Sequence, residues 1–123
     1  MIWILTCTVF PKVSKMQDRI KINSYLDFYE SLLTDKQRQI CSMYYREDLS
    51  LQEIADIEGT SRAAVHDLLK RTKNELSRFE SHLHMLESYR KRMQYYTQIM
   101  EAGNSEINNL IQKCIDTEGG SYE

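Results

Sequence analysis

The sequence predicts an all-α protein, and three observations carry that prediction. Only one proline and four glycines occur in 123 residues, too few breakers for the frequent tight turns of a sheet protein. Leu, Lys, Glu, Gln, Arg and Met, all good helix formers, dominate the composition. Apolar residues also recur three and four apart along most of the chain, the period of an amphipathic helix. The length suits one domain, and 41% apolar residues suffice for a core.

The elements follow in order. From Met16, the residues Ile22, Tyr25, Leu26, Phe28, Tyr29, Leu32 and Leu33 mark a helix to about residue 31. Thr34 with Gln37 three residues on is a capping box, opening a second helix that holds Ile40, Met43 and Tyr44. Arg46-Glu47-Asp48 is a polar turn. Ser50 with Glu53 is a second capping box, opening a short helix over 51–57. Gly59 ends it, and Ser61 is placed to cap the next helix. That helix turns Ala64, Val65, Leu68 and Leu69 inward. The rhythm then continues through Leu76, Phe79, Leu83, Leu86, Met93, Tyr96 and Met100. Whether one bent helix or two spans 62–102 is open at this level. Gly103 ends the run, and Asn104 caps a last helix striped with Ile107, Leu110, Ile111, Cys114 and Ile115.

Regular periodicity is absent from 1–15, and Pro11 interrupts that stretch. It reads as an upstream extension or a misplaced start, with Met16 the working initiator; the rival reading is a strand or arm lying on the fold or on a second chain. The domain expectation is thus an N-terminal extension (1–15), a core (16–80), a C-terminal helical extension (81–117) and a frayed tail (118–123). The apolar start, about ten residues, is half of what a bilayer span needs, and its lysines follow it rather than precede it as in a signal peptide. Three scattered cysteines without a C-x-x-C suit a reducing cytoplasm.

The net charge of −2 argues against avid binding to nucleic acid. Its distribution matters more, because residues 61–92 carry eight basic and four acidic side chains. Within 51–69, two capped helices meet at a tight turn. Ala55 is small enough for a steep close approach, Gly59 permits the turn's positive φ, and Ile54, Val65 and Leu68 are apolar anchors. Together these residues predict a helix-turn-helix. Its second helix starts with the short or polar Ser61, Arg62 and Ala63, and His66, Lys70, Arg71 and Lys73 follow outward, the residue types that approach base edges and phosphates. The positions flanking the turn glycine, usually apolar, hold Glu58 and Thr60, and Ile57 is expected to take over for Glu58.

Leu33-Thr34-Asp35-Lys36-Gln37-Arg38, followed by Tyr44-Tyr45-x-x-Asp48-Leu49-Ser50-Leu51-x-Glu53-Ile54-Ala55, resembles region 4 of bacterial sigma-70-type factors. With Gly59-x-Ser61-Arg62-x-Ala64-Val65-x-Asp67 and Leu68-x-Lys70-Arg71-Thr72, the chain resembles more specifically the YlxM family of small bacterial proteins. The resemblance implies a sigma-region-4-like helix-turn-helix core, DNA or a signal recognition particle component (protein or RNA) as partner, and a regulatory role in that pathway. The rival role is a transcriptional regulator reading the major groove with the helix from Arg62.

Other constellations carry less. His82 and His84, two apart on a helix, point about 200° apart and could not share an ion. Arg90-Lys91-Arg92 beside Tyr89, Tyr95 and Tyr96 reads as a solvated face rather than an RNA platform. No nucleophile elbow, phosphate loop or zinc-protease motif occurs, so no enzyme activity, cofactor, metal or small-molecule substrate is expected. Leu83, Leu86, Met93, Tyr96 and Met100 form a stripe suited to a homodimer seam or a partner.

Overall fold

A computed structural model of the chain describes residues 11–118, with side chains from Lys15 onward. The expected arm or extension over 1–15 lies outside them for residues 1–10, and the expected frayed end over 118–123 for residues 119–123. The described residues are all helical or in turns, which gives the all-α class: α1 (Pro11–Tyr29), α2 (Asp35–Cys41), α3 (Leu51–Glu58), α4 (Arg62–Leu83), α5 (Met85–Ala102) and α6 (Ser105–Glu118). A 3-10 turn (Glu30–Leu32) follows α1, and a π turn (Ser42–Arg46) extends α2. Of the described residues, those up to Leu83 form one compact unit and those from His84 form another.

α1 begins five residues ahead of the expected Met16. Proline is tolerated in a first helical turn, where its missing N–H would have had no intrahelical acceptor, so Pro11 opens the helix rather than interrupting it. Both expected capping boxes form. Thr34 Oγ1 accepts from Gln37 N while Gln37 Oε1 accepts from Thr34 N, and Ser50 with Glu53 repeats the exchange. Ser50 N–H donates to the Glu53 carboxylate and holds its pKa below the ordinary value.

The core of the first unit is Ile22, Leu26, Tyr29, Ile40, Ile54, Val65 and Leu76, all essentially inaccessible. α1, α2 and α3 each pack on α4. Ala64, expected inward, is exposed. The buried stripe of α4 is Val65, Leu69, Thr72 and Leu76, and Ala64 lies one residue, or 100°, off it. Thr72, the buried polar residue, donates its hydroxyl to Leu68 O at 2.8 Å.

α1 also satisfies the irregular backbone after α2. In the π turn, Glu47 N–H reaches back five residues to Ser42 O, leaving carbonyls beyond it unpaired within the turn. Arg19 donates to Tyr44 O (2.6 Å) and to Asp48 (2.7 Å), and Asn23 donates to Tyr45 O (3.3 Å). Asp48 takes the left-handed conformation (φ 60°) that short polar residues tolerate.

Between Arg62 and Ala102 the helix is not continuous. His84 adopts φ 51°, ψ 33°, which ends α4 and starts α5. In the second unit α5 packs on α6. Arg92 grips Glu118 with two hydrogen bonds of 2.6 and 2.7 Å, and Tyr96 adds one at 3.3 Å. Glu118, expected in the frayed tail, thus closes α6 with its pKa held down by the Arg92 hydrogen bonds.

Two glycines matter for different reasons. Gly59 has φ 65°, and a Cβ there would meet nothing. Gly103 has an ordinary φ, but its Cβ would sit 2.8 Å from Ile99 O and 2.9 Å from Ile107 Cγ2. Gly59→Ala is expected to cost the backbone penalty alone, about 1–2 kcal/mol in denaturant melts. Gly103→Ala must displace backbone and is expected to show as faster amide exchange across α5 and α6.

The cysteines separate similarly. Burial pushes the Cys41 thiol up to about 11, opposed by its contact with Thr72, whereas Cys114 is exposed. At pH 8 alkylation followed by peptide mass spectrometry should modify Cys114 promptly and Cys41 only on unfolding, because the thiolate is the nucleophile.

Candidate functional site

The turn between α3 and α4 places the candidate residues. Ala55 is buried to within 1% of its surface, and its carbonyl receives the N–H groups of both Gly59 and Thr60. Ile54 and Val65 are buried, and Leu68 is half-buried. Ser61 caps α4, its hydroxyl accepting from Ala64 N at 3.1 Å. The oxygen accepts at the helix end, and the O–H remains able to donate.

Ile57 does not replace Glu58. It is 61% exposed, while the Glu58 side chain is only 10% exposed and is held by Lys36 (3.0 Å) and Gln39 (2.9 Å) from α2. An ion pair and an amide therefore stand where an apolar clasp is usual. Because Lys36 is itself more than half exposed, removing the carboxylate strands no buried charge. Glu58→Leu is expected to leave stability unchanged or raise it by up to about 1 kcal/mol; Glu58→Lys, facing Lys36, is expected to lower the melting temperature.

Arg62, Ala63, His66, Lys70 and Arg71 are exposed along α4. Among the described residues no ion pair engages Arg62 or Lys70, and Arg71 makes only a 3.4 Å hydrogen bond to Asp67 O. His66 lies 3.8 Å from Asp67. Lys73 differs, since its ammonium is paired with Asp18 of α1. Elsewhere in the first unit Arg19, Lys36, Arg38 and Arg46 also hold acidic partners.

Arg62, His66 and Lys70 follow one another at four-residue steps, so they share a flank of α4. They rim a furrow. Leu51, Arg62, Ala63, His66 and the acidic Asp67 line one end. At the other, about 220 Å³ in volume, Tyr44, Tyr45 and Leu51 face His66, Lys70 and Lys73. Sequence reasoning did not single out the two tyrosines as site residues, since Tyr44 falls on an apolar period and the π turn that brings both to the furrow has no local signature. Burial pushes the Tyr45 hydroxyl up to about 12, so it stays neutral. The Arg19 guanidinium lies 4.9 Å from the Tyr44 ring centre.

The stripe expected to meet a partner is placed otherwise. Leu86 is buried, and Met93, Tyr96 and Met100 are half-buried on the side of α5 that Arg92 and Tyr96 turn to Glu118. The apolar side chains left exposed in the second unit are Tyr95, Ile99, Ile107 and Leu110, while Leu83 is exposed at the end of the first. Lys91 and Arg92 of the basic run are paired with Glu87 and Glu118. Among the described residues no group of three or more His, Cys, Asp or Glu side chains could hold a metal ion, and no helix is long and apolar enough to cross a membrane.

The α3–turn–α4 geometry with its exposed second helix defines a helix-turn-helix protein. The family model described as UPF0122, "Putative helix-turn-helix protein, YlxM / p13 like", matches residues 16–116. A UPF0122 protein of Clostridium botulinum is 44% identical over 86 residues, spanning 70% of this chain and 79% of that protein. One from Malacoplasma penetrans is 42% identical over 104 residues (85% and 92%), and one from Streptococcus pneumoniae is 46% identical over 96 residues (78% and 86%). The chain belongs to the UPF0122 family.

Proposed function

We propose that this protein is a non-enzymatic regulatory protein that works by laying the Arg62–His66–Lys70 flank of α4 on nucleic acid, in the signal recognition particle pathway that the YlxM resemblance implies. The observation supporting this reading is the contrast in charge pairing. On the exposed helix of the motif Arg62 and Lys70 have no acidic partner among the described residues, whereas Lys73 of the same helix is paired with Asp18, and Arg19, Lys36, Arg38 and Arg46 elsewhere in the first unit are paired too. A cation without a partner gives up no ion pair when it meets a phosphate, and it releases the phosphate's condensed counterion.

Major-groove reading by a monomer is less favoured. Lys73 is held by Asp18, and with a net charge of −2 a single copy offers few phosphate contacts. Cytoplasmic action and self-association through the exposed apolar side chains of α5 and α6 belong to the same proposal.

The test is a salt titration against three probes: the particle's RNA, the assembled particle, and random duplex DNA. Binding to the particle or its RNA that outlasts duplex binding near 0.15 M salt supports the targeting role. Sub-micromolar duplex binding at that salt, with none to the particle, overturns it in favour of an operator-binding regulator. Arg62→Ala and Lys70→Ala are each expected to flatten the log K against log salt slope by roughly 0.7–0.9. Lys73→Ala is expected to change it less, because its ammonium already has a partner.

A further inference from the structure

We infer that the furrow between the π turn and α4 takes one unpaired nucleotide of a single-stranded nucleic acid, its base against Tyr44 and Tyr45 and its phosphate at Lys70 and His66. This rests on the preceding reading, in which the same flank meets phosphates, and specifies which form of nucleic acid it selects.

The chemistry of the lining points to that ligand. One wall is aromatic, with Tyr44 and Tyr45 packed edge to face at 4.9 Å. Leu51 and Leu69 add apolar surface, and Lys70 and His66 stand opposite. Aromatic rings and a lysine ammonium lining the same furrow match a planar base joined to an anion, and every base has a face to stack. The volume, about 220 Å³, falls below the roughly 300–1,000 Å³ of a pocket for a drug-sized molecule, so it admits a single planar base and leaves the sugar and phosphate at the rim. Tyr45 stays a neutral phenol through the physiological range, so no phenolate repels the phosphate.

Position separates single strand from duplex. The tyrosines sit in a concavity beside α4, not on its outward face. A duplex presents phosphates to the free cations, but its base faces are covered by their stacked neighbours. Only an unpaired base can enter, and the backbone is then held by the cations at the rim. Duplex binding therefore uses the exposed cations of α4 without the tyrosines, whereas single-strand binding adds the aromatic wall.

The experiment is fluorescence anisotropy at about 0.15 M salt with labelled oligonucleotides of roughly twelve nucleotides, within the site sizes single-strand binders use: single-stranded RNA, single-stranded DNA of the same sequence, and the blunt duplex. Either single strand is expected to bind at least tenfold tighter than the duplex. Tyr44→Leu should abolish that preference while leaving duplex binding, Tyr44→Phe should retain it, and Lys70→Gln should weaken all forms. Crosslinking of a 4-thiouridine-bearing single strand to the wild-type protein needs no variant to fold, and its adduct is expected on the peptide carrying Tyr44 and Tyr45. Equal binding of single strand and duplex, a preference that survives Tyr44→Leu, or an adduct confined to other peptides overturns the inference and leaves the phosphate-docking reading standing. No binding to any of the three overturns both.

Discussion

The working face of the protein depends on one close approach, that of α3 to α4 across the turn at Gly59. Ala55 makes it possible. Its methyl group leaves the two backbones close, and its carbonyl collects the N–H groups of Gly59 and Thr60, so the chain reverses without a stranded donor. Once that turn is set, Val65, Leu69, Thr72 and Leu76 are the side of α4 that meets the core. Everything between Arg62 and Lys70 that is not on that side faces the furrow or the solvent.

What reinforces the turn differs from the usual apolar clasp. Glu58 is sequestered with Lys36 and Gln39, and Ile57, one position away, is left to solvent. α3 is only eight residues long, too short to be stable alone, so its direction is inherited from α2 and α4. A carboxylate gripped by two α2 side chains fixes that direction through hydrogen-bond geometry, where an apolar residue would fix it through shape. The two solutions have similar net energies, because the cost of withdrawing a charge from water offsets much of the attraction.

A second division of labour concerns charge. α1 supplies Asp18 to Lys73, Arg19 to the π turn and Asp48, and Asp27 to Arg46, which Glu30 of the 3-10 turn also holds. These contacts tie the first helix to the segment that bears Tyr44 and Tyr45, and they remove one cation from the α4 flank while leaving Arg62 and Lys70 free. In the α5–α6 hairpin the same principle consumes Lys91 and Arg92. Its exposed apolar side chains then lie beside the expected stripe rather than on it, because Met93, Tyr96 and Met100 are on the side turned to α6.

Local chemistry settled much of this in the sequence. The capping boxes at Thr34 and Ser50, the caps at Ser61 and Asn104, and the glycines at 59 and 103 act within one helical turn, so spacing alone revealed them, and with them the all-α class and the helix-turn-helix. The start of α1 at Pro11 was less legible, since a proline can either open or break a helix. The furrow was not legible. It joins Tyr44 and Tyr45 to Lys70 across more than 20 positions, and the π turn and Arg19 place it. Periodicity reports which face of an element is apolar, but not which cations a distant acid neutralises. The roles of Lys73, Glu58 and Ile57 were therefore decided by tertiary structure, because burial and ion pairing depend on what packs opposite a residue rather than on what precedes it in the chain.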